Sequence, residues 1–216
     1  MDFHDEEMAV LENFGTIIGV DEVGRGSLAG PICASACIVT PIQKSLIQLR
    51  DIQKIPIRDS KKLSRQQRER TFTWLRENFQ ASFIRIEPKE IDRNGIQNAN
   101  NEALNMALQQ AISVVQSQEI VCFVDHFKVQ KPQGVSRIMS MAHGDSLYVS
   151  VACASIWAKV MRDTYMTTLS SQYPQYKWET NMGYGTQEHR DALKKFGISP
   201  HHRRSFLTKM QSFYSK

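Results

Sequence analysis

Two short apolar runs of this chain end in carboxylates, and this pattern constrains the fold more than any other feature. Residues 16–20 are rich in β-branched side chains and lead directly into Asp21 and Glu22. Residues 119–124 form a second, mostly apolar run that ends at Asp125. Such runs predict buried strands. In an α/β sheet, acids at strand ends lie at the edge where these folds bind their ligands.

Asp145, which follows His143 and Gly144 just before a predicted helix, is a third candidate position for an acid at this edge. Three or four carboxylates in a small space cannot all be ionised unless cations neutralise them. Oxygen ligands suit Mg²⁺ or Mn²⁺. Two such ions roughly 4 Å apart can hold the attacking and leaving oxygens of a phosphodiester displacement. Any one of these acids alone is also explained as a solvated loop residue or a helix cap.

The rest of the chain alternates predicted strands and helices, which favours a single α/β domain. Ser64 and Gln67 have the spacing of a capping box at the start of a helix over residues 65–79. Apolar residues at helical spacing predict another helix over residues 96–115. The other predicted elements are strands over residues 31–39, 81–86 and 137–142, and helices over residues 146–169, 186–196 and after Arg204.

Two stretches are less clearly patterned. Residues 40–60 are polar, contain two prolines and are predicted to be irregular. Residues 147–153 fit either a helix or a strand, because β-branched residues favour strands.

Charge is distributed unevenly along the 216 residues, whose net charge is +5. Residues 1–12 carry acids but no Lys or Arg, and we interpret residues 1–14 as an N-terminal extension. Residues 201–216 carry basic residues and no acids, and we expect a basic helical segment packed on or beside a main domain of residues 15–200. A moderately basic body is compatible with a polyanionic partner, since cationic side chains release counterions from phosphates.

Several classes of protein do not fit the sequence. No apolar run approaches the roughly 18 residues needed to cross a bilayer, so no membrane partner is expected. The acidic start is wrong for a secretory signal, and a cytoplasmic location is the expectation. The cysteines form no CxxC pair, which favours reduced, buried thiols over a zinc site; they are Cys33, Cys37, Cys122 and Cys153.

A glycine-rich loop, GRGSLAG at residues 24–30, separates the first two predicted strands. Glycine lets a backbone approach a ligand closely and adopts positive φ at low cost. The loop is not a dinucleotide-binding fingerprint, because its spacing is wrong and a strand follows it. An ordinary turn between strands explains it equally well.

Taken together, the motifs are far more specific than any one of them. Six segments, spread over residues 19–206 and in the same order, closely resemble the signatures of ribonuclease HII. They are GVDEVGRGSLAGP at 19–31, DSKKLS at 59–64, FVD at 123–125, ASIWAKVMRD at 154–163, GYGT at 183–186 with His189 after it, and PHHRRSF at 200–206.

The resemblance implies an RNase H-like α/β fold, with a central mixed five-stranded sheet flanked by helices. It implies an endonuclease that cuts the RNA strand of RNA–DNA hybrids and incises DNA duplexes 5′ to embedded ribonucleotides, leaving 3′-hydroxyl and 5′-phosphate ends. It also implies a monomer with two Mn²⁺ or Mg²⁺ ions, held by Asp21, Glu22, Asp125 and a fourth acid.

The fourth acid is either Asp145 or Asp163. A single helix over residues 146–163 would span roughly 27 Å at 1.5 Å per residue, so only one of its ends can lie near a metal pair. Asp145 matches the family's final acid before the helix and is our choice. Asp163, next to Arg162, is interpreted as a structural ion-pair partner.

The resemblance also implies residues that bind the substrate. The backbone of Gly24, Arg25 and Gly26 would sense the ribose 2′-hydroxyl, which donates and accepts hydrogen bonds. Tyr184 would stack on the neighbouring deoxyribose and read the RNA–DNA junction. Phosphate contacts, which position a duplex without reading its sequence, would come from Lys61 and less clearly from Lys62. Arg203 and Arg204 would either contact phosphate in the same way or form a solvated basic face.

Four positions depart from the family pattern: Ser27 stands for a proline, His126 for a glycine, and His143 and Met182 for lysines. None of these changes removes a carboxylate, so they bear on substrate affinity more than on catalysis.

Three rival interpretations fit the sequence less well. Ribonuclease HIII shares the fold but typically carries a longer N-terminal domain. A protein that only binds hybrids would have no reason to concentrate acids where phosphates must dock. A transposase or resolvase of the same fold would not combine GRG with GYGT.

Overall fold

The computed structural model describes residues 2–13, 15–48, 55–117, 119–125 and 129–208. Its five strands are β1 (Thr16–Val23), β2 (Ile32–Val39), β3 (Gln80–Ile86), β4 (Ile120–Asp125) and β5 (Arg137–Met141). Its helices are α1 (Asp5–Glu12), α2 (Pro41–Gln48), α3 (Arg65–Asn78), α4 (Pro88–Asn94), α5 (Ile96–Ile112), α6 (Gly144–Leu147), α7 (Val149–Gln172), α8 (Trp178–Asn181), α9 (Gln187–Phe196) and α10 (Arg204–Leu207), with 3₁₀ turns at Ser60–Lys62 and Pro174–Tyr176.

The strands form one mixed sheet in the order β3-β2-β1-β4-β5. Strand β1 pairs antiparallel with β2 and parallel with β4, while β2–β3 is antiparallel and β4–β5 is parallel. The expected five-stranded mixed sheet flanked by helices is therefore confirmed. The parallel pair of β1 and β4 matters most for the site, because the carboxyl ends of both strands lie at the same edge of the sheet.

Helices α5 and α7 cover opposite faces of the sheet. Side chains alternate along a strand, and β1 follows this rule. Ile17 packs in the core beneath α7, whereas Ile18 and Val20 pack in the core beneath α5. Since β1 is buried on both faces, its apolar run is continuous rather than alternating with polar residues.

Gly19 allows α7 to lie directly against β1. A Cβ atom placed on this glycine would stand 2.1 Å from the carbonyl carbon of Ser150 in the first turn of α7. No side chain fits there, because the clash is with backbone that cannot rotate away. This contact lies two residues before Asp21 and fixes how closely the helix approaches the acidic end of the strand.

Most of the predicted elements are confirmed to within a few residues. Ser64 caps α3, and its hydroxyl accepts from the backbone N–H of Gln67 while the Gln67 side chain accepts from Ser64 N–H. The prediction of an irregular stretch over residues 40–60 was wrong for α2, which begins at Pro41, a residue suited to the first turn of a helix. Helix α4 was not predicted.

The predicted helix over residues 146–169 is two helices. The chain leaves helical geometry at Tyr148, whose φ of −105° and ψ of 127° are extended, and α7 then continues to Gln172. Residues 149–153, which fitted a strand or a helix, are helical. They are all buried against the sheet, so packing rather than β propensity decides their conformation.

The two ends of the described chain pack on the main body. Helix α1 contacts β1 and α2, and α10 contacts α4. A helix after Arg204 is confirmed for residues 204–207, and the rest of the expected C-terminal segment lies outside the described residues.

All four cysteines are buried, as predicted. Within the described residues, no helix combines the length and apolar character that crossing a membrane requires.

Candidate active site

The sheet register places Asp21 beside Asp125. Val20 of β1 is the register partner of Val124 in β4, so the acids that follow them are neighbours at the carboxyl edge of the sheet. Both side chains leave the sheet on the α7 face, opposite to the valines that precede them. Glu22 follows Asp21 and therefore leaves on the other face. The sequence predicted that the two strand ends converge, and the pairing confirms it.

Asp21 is almost fully buried and is held by hydroxyl groups from two other segments. It exposes 6% of its surface and is hydrogen-bonded to the side chain of Ser155 in α7. The Ser155 Oγ lies 2.9 Å from the Oγ of Ser60 in the 3₁₀ turn. The carboxylate can only accept from Ser155, so Ser155 in turn accepts from Ser60. Neither serine was assigned a role from the sequence, although both lie within segments that carry the family resemblance.

Helix α6 brings Asp145 to the same edge. The backbone N–H of Gly144 donates to Asp125 Oδ1 at 2.9 Å, which ties the start of this one-turn helix to the end of β4. Asp145 comes next and is 3% exposed. His143 precedes the helix in the left-handed region, with a φ of 62°.

Electrostatics shows that the four acids act on one another. Burial raises the pKa of Asp21 well above its usual value, and Glu22, Asp125 and Asp145 raise it further. Burial, with the charge of Asp125, raises the pKa of Glu22 to about 7. Burial also raises the pKa of Asp145, while the ammonium of Lys61 lowers it. Crowded carboxylates whose charged forms are disfavoured are typical of sites that bind cations.

Lys61 is a cation at this cluster, together with Arg25, whose charge lowers the pKa of Glu22. Its Nζ lies 3.5 Å from Asp145 Oδ2. Asp59 caps the 3₁₀ turn by accepting from the backbone N–H of Lys61, which orients the segment toward the acids. Lys62 points its Nζ to the Ser146 hydroxyl at 3.4 Å. Lys61 therefore lies at the site, and its side chain is mostly exposed on the solvent side.

The chemistry of these residues fits hard divalent ions. All four donors are carboxylates, and Glu22 Oε2 is buried without a hydrogen-bond partner, which an ion would supply. In the described part of the chain, no three His, Cys, Asp or Glu side chains are close enough together to hold an ion as they stand. Binding therefore requires the carboxylates to turn toward a shared ion.

Asp163 lies elsewhere on α7, two turns beyond Ser155. It forms an ion pair with Lys159 at 2.9 Å, one turn earlier on the same helix, and shares a small cleft with Arg65 and Arg68. Its ion-pair partner is thus Lys159 and not the neighbouring Arg162.

Arg162 holds the glycine-rich loop from inside the protein. It is fully buried, and its guanidinium donates to the carbonyl oxygens of Pro31, Ala29 and Met182 and to Ser27 Oγ, at 2.8 to 3.3 Å. A Cβ on Gly24 would stand 2.2 Å from Arg162 Nε, and Gly24 has a φ of +88°. A glycine is therefore required at this position both by its backbone conformation and by the adjacent guanidinium.

Arg203 also reaches this loop, which corrects one expectation from the sequence. Its side chain is 0% exposed and donates to the carbonyl oxygens of Gly30 at 3.0 Å and Arg25 at 2.9 Å. It is not part of a solvated basic face, and in this position it does not offer its guanidinium to a phosphate. Burial, together with the nearby charge of Arg162, lowers the pKa of Arg203 to about 9.

Arg204 does lie on the surface. Its backbone N–H donates to the carboxylate of Asp92 in α4, which also accepts from the N–H and hydroxyl of Ser205. Asp92 thereby fixes the start of α10, while the Arg204 side chain is exposed.

Comparisons with known proteins agree with this geometry. Residues 18–209 match the family model described as Ribonuclease HII. The chain belongs to the ribonuclease HII family. A ribonuclease HII from Thermosynechococcus vestitus is 41% identical over 204 residues, which cover 91% of this chain and 86% of the relative. The protein is thus a ribonuclease H, an endonuclease that acts on nucleic acid, and the resemblance drawn from the motifs is confirmed.

Solved structures show the same fold. The ribonuclease H2 from Pyrococcus horikoshii OT3 has a TM-score of 0.73 and 27% identity, with 93% of this chain and 100% of that chain covered. Bst-RNase HIII in complex with Mn²⁺ has a TM-score of 0.67 and 20% identity, with 95% and 69% covered, and this likeness concerns the fold alone.

In this ribonuclease HII, Tyr184 is half-buried beside two cations. Its ring centroid lies 5.5 Å from the guanidinium carbon of Arg162 and 5.8 Å from Lys159 Nζ. Its carbonyl oxygen accepts from His189 Nδ1 at 3.0 Å, and Gly183 before it has a φ of +80°. The tyrosine therefore lies on a turn that a hydrogen bond from His189 holds in place, and it is partly exposed to solvent.

A buried histidine pair supports this turn. Because His189 Nδ1 donates to Tyr184, its Nε2 is the acceptor for Trp178 Nε1 at 3.2 Å and for His202 Nε2 at 3.0 Å. His202 Nδ1 in turn accepts from the backbone N–H of Ser199. This arrangement needs both rings neutral, and burial lowers the pKa of both, that of His202 to about 3.

The departures from the ribonuclease HII pattern have different structural consequences. Ser27 is buried, and its hydroxyl donates to the Gly24 carbonyl and accepts from Arg162, so it strengthens the loop. Met182 adopts the left-handed region with a φ of 50°, and its carbonyl accepts from Arg162. His126 lies outside the described residues.

Proposed function

We propose that this ribonuclease HII cuts the RNA strand of RNA–DNA hybrids and incises duplex DNA on the 5′ side of embedded ribonucleotides, leaving 3′-hydroxyl and 5′-phosphate ends. The observation that carries the proposal is the parallel pairing of β1 with β4, which puts Asp21 beside Asp125 with Asp145 close by. Two divalent ions, Mn²⁺ or Mg²⁺, would be held by these acids together with Glu22. Such ions would stabilise the charge on the attacking and leaving oxygens.

The protein would prepare this site in three ways. Ser155 holds the buried Asp21 in one orientation, and Gly144 N–H does the same for Asp125. The ammonium of Lys61 lies at the solvent side of the cluster, where it would contact a phosphate. The acids would have the opposite effect on a phosphate, because their negative charge repels it until cations are bound.

Recognition of the ribonucleotide would fall to the glycine-rich loop. The Ser27 hydroxyl donates to the carbonyl group of Gly24 and Arg203 donates to that of Arg25, so hydrogen bonds hold two carbonyl groups of residues 24–26 in place. Next to Gly26 there is open space, which leaves room for a ribose. A 2′-hydroxyl both donates and accepts hydrogen bonds, so fixed backbone groups are suited to detect it. Tyr184 would stack on the following deoxyribose.

Phosphate contacts outside the acidic cluster would come from the exposed side chain of Arg204. The protein would act as a monomer. Bst-RNase HIII, which shares the fold, was solved with Mn²⁺. The proposed divalent ions agree with that structure.

The test is an incision assay on a DNA duplex with one ribonucleotide, run with Mn²⁺, with Mg²⁺ and with a chelator, beside an all-DNA duplex. We expect a metal-dependent nick immediately 5′ to the ribonucleotide and no cut in the control. If only long RNA–DNA hybrids were cut, the proposed metal site would stand, but the proposed role of Tyr184 at the RNA–DNA junction would be refuted. No cleavage of either substrate by folded protein would refute the proposal.

A further inference from the structure

Glu7 in the N-terminal helix α1 is a fully buried acid whose partners lie far along the chain. Its carboxylate accepts from the backbone N–H groups of Val149 at 3.0 Å and Ser150 at 2.9 Å, in the first turn of α7. The first N–H groups of a helix have no partner within it, and a negative charge there is favourable. Glu7 therefore caps α7 from a helix about 142 residues earlier in the chain.

Tyr148 extends this contact to the segment that carries Asp145. Its hydroxyl donates to Glu6 Oε2 at 2.6 Å, and its backbone N–H donates to the Gly144 carbonyl at 2.7 Å. Its ring packs on Phe123 of β4 with 4.5 Å between centroids. Tyr148 is fully buried, so α1 holds the residue that joins α6 to α7.

Helix α6 needs such support, because four residues are too few to form a stable helix alone. The N-terminal end of α6 is held at Asp125 through Gly144 N–H, and its C-terminal end is followed by Tyr148. Between these two fixed points lies Asp145. The match to the family model begins at residue 18, so α1 lies before the matched segment.

We propose that α1 is a positioning element of the metal site, with Glu7 as the residue through which it holds Asp145 in place. This inference rests on the proposed function. Glu7 fixes the first turn of α7, which begins directly after Tyr148, and the adjacent Glu6 accepts from the Tyr148 hydroxyl. Tyr148 in turn fixes α6 through its backbone N–H. The expected consequence is a weaker metal site and slower chemistry when Glu7 is changed, with duplex binding unaltered.

The experiment compares Glu7→Gln in the full chain with Glu12→Gln, a matched change on the same helix at an acid that is mostly exposed. Mn²⁺ binding is measured by calorimetry without substrate, at a temperature where circular dichroism shows both variants folded. We expect Glu7→Gln to bind Mn²⁺ about 10-fold more weakly than wild type, as when groups that orient metal ligands are lost. We expect kcat to fall by a similar factor, with KM for the duplex within about twofold.

A purely structural role would lower thermal stability and leave Mn²⁺ affinity and kcat at the level of Glu12→Gln, and that result would overturn the inference. If Glu7→Gln does not fold, Tyr148→Phe decides in its place, since it keeps the ring and loses the hydroxyl, which donates to Glu6 of α1 and lies 4.0 Å from the Met141 sulfur. We expect it to weaken Mn²⁺ binding in the same direction, and an unchanged affinity would refute the inference. Wild-type protein that neither binds Mn²⁺ nor cuts would instead refute the proposed function, and this inference with it.

Discussion

At the scale of single residues, the site combines acids that the sequence makes obvious with buried cations that it does not. Asp21 and Asp125 stand out because each ends an apolar run. Arg162 and Arg203 look like ordinary surface residues in the sequence, yet both are fully buried and donate to carbonyl groups of the glycine-rich loop. A charged side chain reveals its burial only through partners distant in the chain.

The choice of Asp145 over Asp163 as the fourth acid leads to the first prediction. Asp145→Asn should lower the rate of nicking by at least about 100-fold, because a lost metal ligand removes several kcal/mol of transition-state stabilisation. Asp163→Asn should stay within about threefold of wild type, since Asp163 pairs with Lys159. Initial rates on a duplex with one ribonucleotide measure both, and the opposite ranking would show that the assignment is wrong.

Arg162 gives a prediction about stability. Arg162→Met keeps an unbranched stem but removes the guanidinium, which leaves three carbonyl groups and the Ser27 hydroxyl without their buried donor. We expect the free energy of unfolding to fall by about 3 kcal/mol or more, because unsatisfied buried polar groups are costly. Urea denaturation measures this, with Arg204→Met, the same change at an exposed arginine, as the control. Equal stability of the two variants would contradict the structural role of Arg162.

At the scale of elements, boundaries are set by packing as much as by local sequence. The Ser64 cap and the start of α3 are local, and the sequence predicts them correctly. The break at Tyr148 is not local: it separates α6 from α7 because the ring packs on β4 and the hydroxyl reaches α1. The helix α2 was missed because a polar stretch with a proline at its start also fits a loop.

The turn that carries Tyr184 gives the third prediction. Tyr184→Ala should reduce nicking at a single ribonucleotide by about 10-fold or more, because a stacking contact of about 1–3 kcal/mol is lost. Mn²⁺ affinity should be unchanged, since the ring lies beside Arg162 and Lys159 rather than on the acids. Equal cleavage of this substrate by variant and wild type would remove the junction role.

At the scale of the whole molecule, three hydrophobic cores support the functional residues. Two cores on opposite faces of the sheet hold the acidic edge, and a third, which includes Trp178 and Leu193, holds the Tyr184 turn. Only the third contains a buried pair of neutral histidines, as far as the described residues show. Acid should therefore destabilise the fold through this region.

The pH dependence of stability is the fourth prediction. In the unfolded chain a histidine titrates near its usual pKa of about 6.5, whereas folding lowers the pKa of His202 to about 3. Above the unfolded pKa both states are neutral, and as the pH falls below it only the unfolded state takes up the proton. At about pH 5 this should cost about 2 kcal/mol of stability from His202 alone.

Urea unfolding at about pH 7.5 and about pH 5 measures this loss, with His202→Asn as the comparison. The asparagine can still accept from Ser199 N–H, but it does not titrate. The variant should lose about 2 kcal/mol less than wild type between the two pH values. The same loss in both proteins would show that His202 is not the group responsible.

The sequence by itself determined the order of the strands and main helices, the acids that end β1 and β4, and the family, because apolar periodicity and contiguous motifs are local properties of the chain. Tertiary structure alone decided the sheet register that sets Asp21 beside Asp125, the burial of Arg162 and Arg203, and the capping of α7 by Glu7. These features join residues up to about 178 positions apart. No local pattern records such a contact, since it exists only after the sheet and its two helix layers have packed.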